Sequence, residues 1–179
     1  MACELTRGFT LDCNEGVGGV KDIYLANWSS FEGGVVVTNG VITTLPTADV
    51  FRYQPNRNTG ALTITPTSNL ENGTLYYMHV IEMTLGKLAV NKKEELELLS
   101  KAKVVAFVRL FDDNILMCGR TDGMFLTAGT YQSGKAKGDL NGYTLTLTAE
   151  EPNQPEFLQF DEDPFGQYAG ITVVVVPTP

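Results

Sequence analysis

Apolar and polar residues alternate along much of this chain with a period of two. The longest run is 74–85. Leu75, Tyr77, His79, Ile81 and Met83 fall on one side of it, and Thr74, Tyr76, Met78, Val80, Glu82 and Thr84 on the other. Successive side chains of a strand point to opposite faces, so the pattern predicts one β-strand of unusual length. Neither side is cleanly polar, which predicts cover on both, by a core or by a neighbouring subunit. A shorter alternating run at 61–65, with Leu62 and Ile64 on one side, precedes it across the turn-rich stretch 66–73. Together the two runs predict a long extended hairpin. Residues 143–148 alternate Tyr143, Leu145 and Leu147 with threonines, the pattern of a half-buried strand. Residues 104–110 are almost wholly apolar, as in a strand buried on both faces.

Turn chemistry separates the remaining strands. Asn39-Gly40 between two β-branched runs signals a two-residue hairpin, because both central positions of such a turn need positive φ. Asp112-Asp113-Asn114 marks another turn, between 104–110 and 115–118. Further strands are expected at 20–28, 124–128, 157–160 and 171–176, and 129–142 reads as a long, Gly-rich loop. One stretch reads as helix, 91–103. Asn91 is placed to cap it, Glu94 stands where a capping box needs its acid, and Leu96 and Leu99 form a narrow apolar stripe. The expected fold is mainly β: a β-sandwich or barrel with one flanking α-helix and a long extended hairpin, in one domain over 1–179.

Charge narrows the functions open to such a domain. Thirteen Lys and Arg face twenty-one Asp and Glu, for a net charge of −8. That balance opposes a protein that grips nucleic acid through its phosphates, or one that docks on anionic lipid. The longest apolar run, 171–176, is far short of the ~18 residues of a membrane span, so no membrane insertion is expected. The first eight residues carry no apolar h-region, so the expectation is a chain kept in a reducing cytoplasm. Cys3, Cys13 and Cys118 match no zinc-site spacing and are expected as free thiols, with a Cys3–Cys13 bridge as the alternative.

Candidate chemistry is sparse. Gly129 to Ala136 follows most of the phosphate-loop pattern, with Gly134-Lys135 in place. Ala136 lacks the hydroxyl that pattern needs for Mg²⁺, and the glycines and Asp139 that follow forbid the required helix. Asp112 to Asn114 and Asp161 to Asp163 offer oxygen ligands without the spacing of a calcium loop, and read as solvated turns. Glu150 and Glu151 are adjacent on a strand, so they point apart. His79 is the one imidazole of the chain and reads as a packed or interface residue, with no GxSxG elbow to partner it. No catalytic residue, metal site or cofactor is expected.

Two segments carry a family resemblance. The first is Thr10-Leu11-Asp12-Cys13 with the stretch from Gly18 to Asn27. The second begins with the helix around Leu96 and runs through Asp112-Asp113-Asn114, then Thr127-Ala128-Gly129-Thr130, to Gly138-Asp139-Leu140-Asn141-Gly142-Tyr143-Thr144 and Glu150-Glu151-Pro152. This set is similar to a group of tail-tube-like virion proteins of bacteriophages that infect Bacteroidetes-type hosts, crAss-like phages included. The resemblance covers about half the chain. Residues 29–60 have no counterpart in it, and an insertion or docking arm is expected there.

The resemblance implies a non-enzymatic structural subunit. It would form homo-oligomeric rings of a tail tube through which DNA passes without sequence-specific binding. It would assemble in the bacterial host cytoplasm and reside in the virion. Other tail, portal or connector proteins would be its partners. A head–tail connector ring of the same fold is the alternative. On this reading Leu62, Ile64, Leu75, Tyr77, His79, Ile81 and Met83 form the lumen or inter-subunit hairpin. Gly129, Ser133, Lys135, Lys137 and Asp139 form an inter-subunit loop, and Leu96 and Leu99 hold a bracing helix. A conduit also suits the acidic balance, since carboxylates at a lumen repel passing phosphates. A ligand- or carbohydrate-binding β-sandwich is the rival of another class. It would need an exposed aromatic platform drawn from Tyr24, Trp28, Tyr76 and Tyr77.

Overall fold

The computed structural model describes residues 8, 17–87, 89–159 and 163–175. In chain order the strands are β1 (Val20–Asn27), β2 (Val36–Thr38), β3 (Val41–Thr44), β4 (Ala48–Tyr53), β5 (Ala61–Asn69), β6 (Thr74–Gly86), β7 (Val104–Leu110), β8 (Ile115–Cys118), β9 (Phe125–Gln132), β10 (Gly142–Glu151), β11 (Glu156–Leu158) and β12 (Ile171–Val174). One α-helix, α1 (Val90–Leu99), joins β6 to β7. The strands make an eight-stranded sheet, ordered β12-β4-β1-β7-β8-β11-β3-β2, and a four-stranded sheet, ordered β5-β6-β10-β9. The molecule is therefore mainly β, a sandwich of two sheets with one helix, as the alternation predicts.

The main core lies between the sheets. Ile81, Met83, Leu145 and Leu147 of the smaller sheet meet Ile23, Leu25, Ala106 and Val108 of the larger, and Leu96 and Leu99 bring α1 onto the same cluster. The far face of the larger sheet holds a second cluster. There Tyr24, Val105 and Phe107 are covered by Phe31, Leu45, Phe165 and Tyr168 from the connecting loops. The central strand β7 is thus buried on both sides, which explains its unbroken apolar sequence. The turns follow their chemistry. Asn39 and Gly40 adopt φ of 54° and 81°, and Asp113 adopts 64°.

Several expectations are corrected. The helix starts at Val90 and ends at Leu99, and the position before it is Ala89, with no side-chain cap. Asn91 and Glu94 therefore do not form the expected capping box. The short link from β6 sets the start instead: the Lys87 N–H donates to the Asn141 carbonyl and Lys92 Nζ to the Gly86 carbonyl, each at 2.7 Å. Residues 29–60 are not a docking arm. They supply β2, β3 and β4, with Ile42 and Val50 fully buried, and β4 pairs directly with β1. Residues 66–73 are not all turn, because β5 runs on through Pro66 to Asn69. Gly129 lies within β9 rather than in a loop, so the loop shrinks to 133–141. Trp28 stands just past β1. Its indole N–H donates to the Arg120 carbonyl at 3.2 Å, and the Lys103 ammonium lies 3.4 Å from its ring centroid. Cys3, Cys13, the segment 10–13 of the resemblance, and Asp161 and Glu162 lie outside the described residues.

Candidate assembly surface

Among the described residues the four-stranded sheet is open at both edges. Its outer strands are β5, of nine residues, and β9, of eight. An exposed edge presents unpaired N–H and C=O groups, and soluble proteins usually blunt it with charge, brevity, proline or cover. Neither strand holds a charged residue; β5 carries one proline, Pro66, and β9, Phe-Leu-Thr-Ala-Gly-Thr-Tyr-Gln, carries none. All of β9 except the half-buried Leu126 is exposed. The larger sheet ends differently, in a four-residue strand and a three-residue strand. Long uncharged edges are thus concentrated on one sheet, and β9 is the less protected of the two.

The face of this sheet turned away from the core is nearly uncharged. Register places Thr63, Val80, Thr148 and Phe125 in one row across it, and Ala61, Glu82, Thr146 and Ala128 in the next. Two carboxylates, Glu82 and Glu150, are the charged residues of its strand positions, and no lysine or arginine occupies one. Most side chains of β6 and β10 here are half-buried.

The hairpin residues expected at a lumen divide between environments. His79, Ile81 and Met83 are buried, and Leu62 packs half-buried on the core cluster. These four face the core and not a lumen. The cause is the partner strand: Leu147 pairs with Ile81 and Leu145 with Met83, so this side of β6 continues the apolar side of β10. The threonine side, which includes Tyr76, Met78 and Val80, is the one left outward. Ile64 and Tyr77 are half-buried, and Leu75 is exposed. Beyond Tyr77, the last partner of β10, the β5–β6 ribbon projects alone through the pairs Thr67–Tyr76, Ser68–Leu75 and Asn69–Thr74. The Asn69 side-chain oxygen accepts the Glu71 and Asn72 N–H groups at its tip, and Leu70 there is 94% exposed.

At the opposite end of the sheet is the loop 133–141. Ser133, Lys135 and Lys137 are exposed. The Asp139 carboxylate accepts the backbone N–H groups of Ala136 at 2.7 Å and Lys135 at 2.8 Å, which hold it below the ordinary carboxylate range. The amides that a phosphate loop would offer its ligand are therefore already taken, and the chain runs on into β10 instead of a helix.

The other candidate groups serve the fold. Burial holds the His79 imidazole below its ordinary value, while the Glu151 carboxylate and the Asn153 backbone act the other way. Neither ring nitrogen makes a hydrogen bond of proper geometry. Glu150 is exposed and Glu151 is buried, where its carboxylate accepts the Thr121 and Asp122 N–H groups at 2.9–3.1 Å. Burial pushes the Cys118 thiol far up, out of reach of nucleophilic use at neutral pH. Asp112 bonds Asn114, and Asp113 takes Arg109 and Lys21, so that turn spends its oxygens on its own chain. Among the described residues no three His, Cys, Asp or Glu side chains converge as a metal site would require.

The aromatic platform does not form. Tyr24 is buried against Phe165, and Tyr76 and Tyr77 point to opposite faces. Periodicity alone did not reveal the open edges; their signal in the sequence is the absence of charge along 61–69 and 125–132. No helix among the described residues is long and apolar enough to cross a membrane. Neither a protein-family model nor a curated protein matches this chain.

Proposed function

We propose that this chain is a structural, non-enzymatic subunit of a phage virion that closes into rings of a tail tube and lets DNA pass. One observation carries the assembly: two long, uncharged edges on the same four-stranded sheet, which no other described residue pairs with. Each of β5, β6, β10 and β9 is antiparallel to its neighbour, so β5 and β9 also run in opposite directions. A β5 strand from the next copy laid on β9 continues the alternation and keeps the same face inward. Such a head-to-tail contact closes into a ring when its rotation closes, and it leaves neither edge of this sheet free. The inward face is then the threonine face, whose Glu82 and Glu150 repel phosphate and which has no cation to hold it. The phage context itself rests on the sequence resemblance.

Negative-stain electron microscopy tests this, with protein concentrated alone and with protein co-purified with other virion components. Rings or tubes are expected. Ala128→Lys places a charge on the exposed β9 edge, and it is expected to leave monomers with an unchanged circular dichroism spectrum. A wild-type chain that stays monomeric in both settings, or an Ala128→Lys chain that assembles like the wild type, refutes the proposal.

A further inference from the structure

An apolar groove runs beside the β9 edge, between that strand and α1. It is a wide depression, open to solvent, of about 620 Å³, and is lined by Ala89, Val90, Lys93, Glu97, Tyr131 and Tyr143. Val90 is 77% exposed and Tyr131 56%, so nothing in the described chain covers them. We propose that this groove receives the 54–60 loop of the next copy around the ring, with the Arg57 guanidinium over the Tyr131 ring and paired with Glu97. The inference rests on the ring reading above and names the second half of its lateral contact.

Height along the strands supports it. The loop stands at the β5 edge, where the Asn56 N–H donates to the Thr84 carbonyl at 2.7 Å. Thr84 pairs with Thr144, and Thr144 with Thr130, the residue next to Tyr131. Loop and groove thus lie level, at opposite edges of one sheet. Joining β5 of one copy to β9 of the next brings them together.

The loop is also prepared for the contact. Thr59 Oγ1 donates to the Asn56 carbonyl at 2.7 Å and Asn58 takes φ of 59°, so the turn is held by its own bonds. Arg57 at its tip is exposed and forms no ion pair among the described residues. Its chemistry fits the groove. The apolar stem suits Val90, the planar cation stacks on a tyrosine face, and the fork pairs with a carboxylate. Glu97 now holds Lys101 at 3.3 Å, with both side chains largely exposed. Such a pair is weak, and an arginine arriving at a desolvated interface displaces it. Lys93 on the same rim repels the arginine and steers it toward Glu97.

A charge swap reads this directly. Arg57→Glu, Glu97→Arg and the double variant are compared with the wild type by sedimentation velocity and electron microscopy, alone and with the virion components. Each single variant is expected to weaken self-association about tenfold, and the double variant to recover most of the loss. Single variants that assemble like the wild type, or a double variant no better than the singles, overturn the contact while rings still form. Variants that lose affinity for another virion protein and keep self-assembly assign the groove to that protein and overturn it too. A wild type that never assembles overturns the ring reading, and this contact with it.

Discussion

His79→Leu is the sharpest test of how the core is built. His79 is the chain's one histidine, and it is 2% exposed. Ile64 and Ala149 flank it on the neighbouring strands, and neither ring nitrogen makes a hydrogen bond of proper geometry. A buried polar group without a hydrogen bond costs about 1–3 kcal/mol. Leucine fills a similar volume and leaves nothing unsatisfied. At about pH 7.5 the variant should therefore match the wild type or exceed it by about 1 kcal/mol. The acid side is more telling. Burial lowers the folded-state value below the ordinary 6.5, so the imidazole is neutral in the native protein at neutral pH. As pH falls below 6.5 the unfolded chain takes up the proton first. Wild-type stability then drops by up to about 1.4 kcal/mol per pH unit, until the native imidazole is protonated as well. The variant lacks this loss. Urea denaturation of both proteins, at concentrations below assembly and from about pH 7.5 to 5, gives the difference, in which the shared carboxylates cancel. Parallel stability curves, or a variant weakened by about 2 kcal/mol or more at pH 7.5, would refute the reasoning.

Two further substitutions test the frame that holds the surface. Gly142→Ala puts a Cβ onto the Leu85 carbonyl oxygen where β10 meets β6, and should cost about 1–3 kcal/mol in chemical denaturation; a neutral result would mean that the two strands are farther apart. Asp22 is buried and accepts Arg52 Nε and Nη2 at 3.0 and 2.8 Å. Asp22→Ala should cost about 1.5–3 kcal/mol, and Arg52→Ala more, because it strands a buried carboxylate whereas Asp22→Ala frees an arginine that already reaches water. The opposite order in denaturation midpoints would refute that account.

Much of the local structure was legible in the residues. Asn39-Gly40 and Asp112 to Asn114 forced their turns through positive φ, and the run 104–110 announced a doubly buried strand. The helix was legible by its leucines and misplaced by its cap, since Asn91 favours a start that the short link from Gly86 overrides. The strand β4 was missed. Its residues Ala-Asp-Val-Phe-Arg-Tyr mix polar and apolar without a clear face, and it is a strand because β1 and β12 lie on either side of it. The hairpin was legible, but Leu62, His79, Ile81 and Met83, the row expected outward, turn to the core.

That inversion separates the two sources of information. Periodicity in one strand establishes that side chains alternate; it does not say which row turns inward. For 74–86, where both rows are mixed, the sum over strands in register decides, and Leu145 and Leu147 tip it. The β-rich, single-helix character, the turns and the acidic balance are set by local sterics and composition and can be read without any tertiary contact. The core-facing row, the incorporation of 29–60 and the two edges that no described residue pairs with come from the way the chain folds back on itself. Each of these depends on which distant segment finds a partner and which strand is left without one.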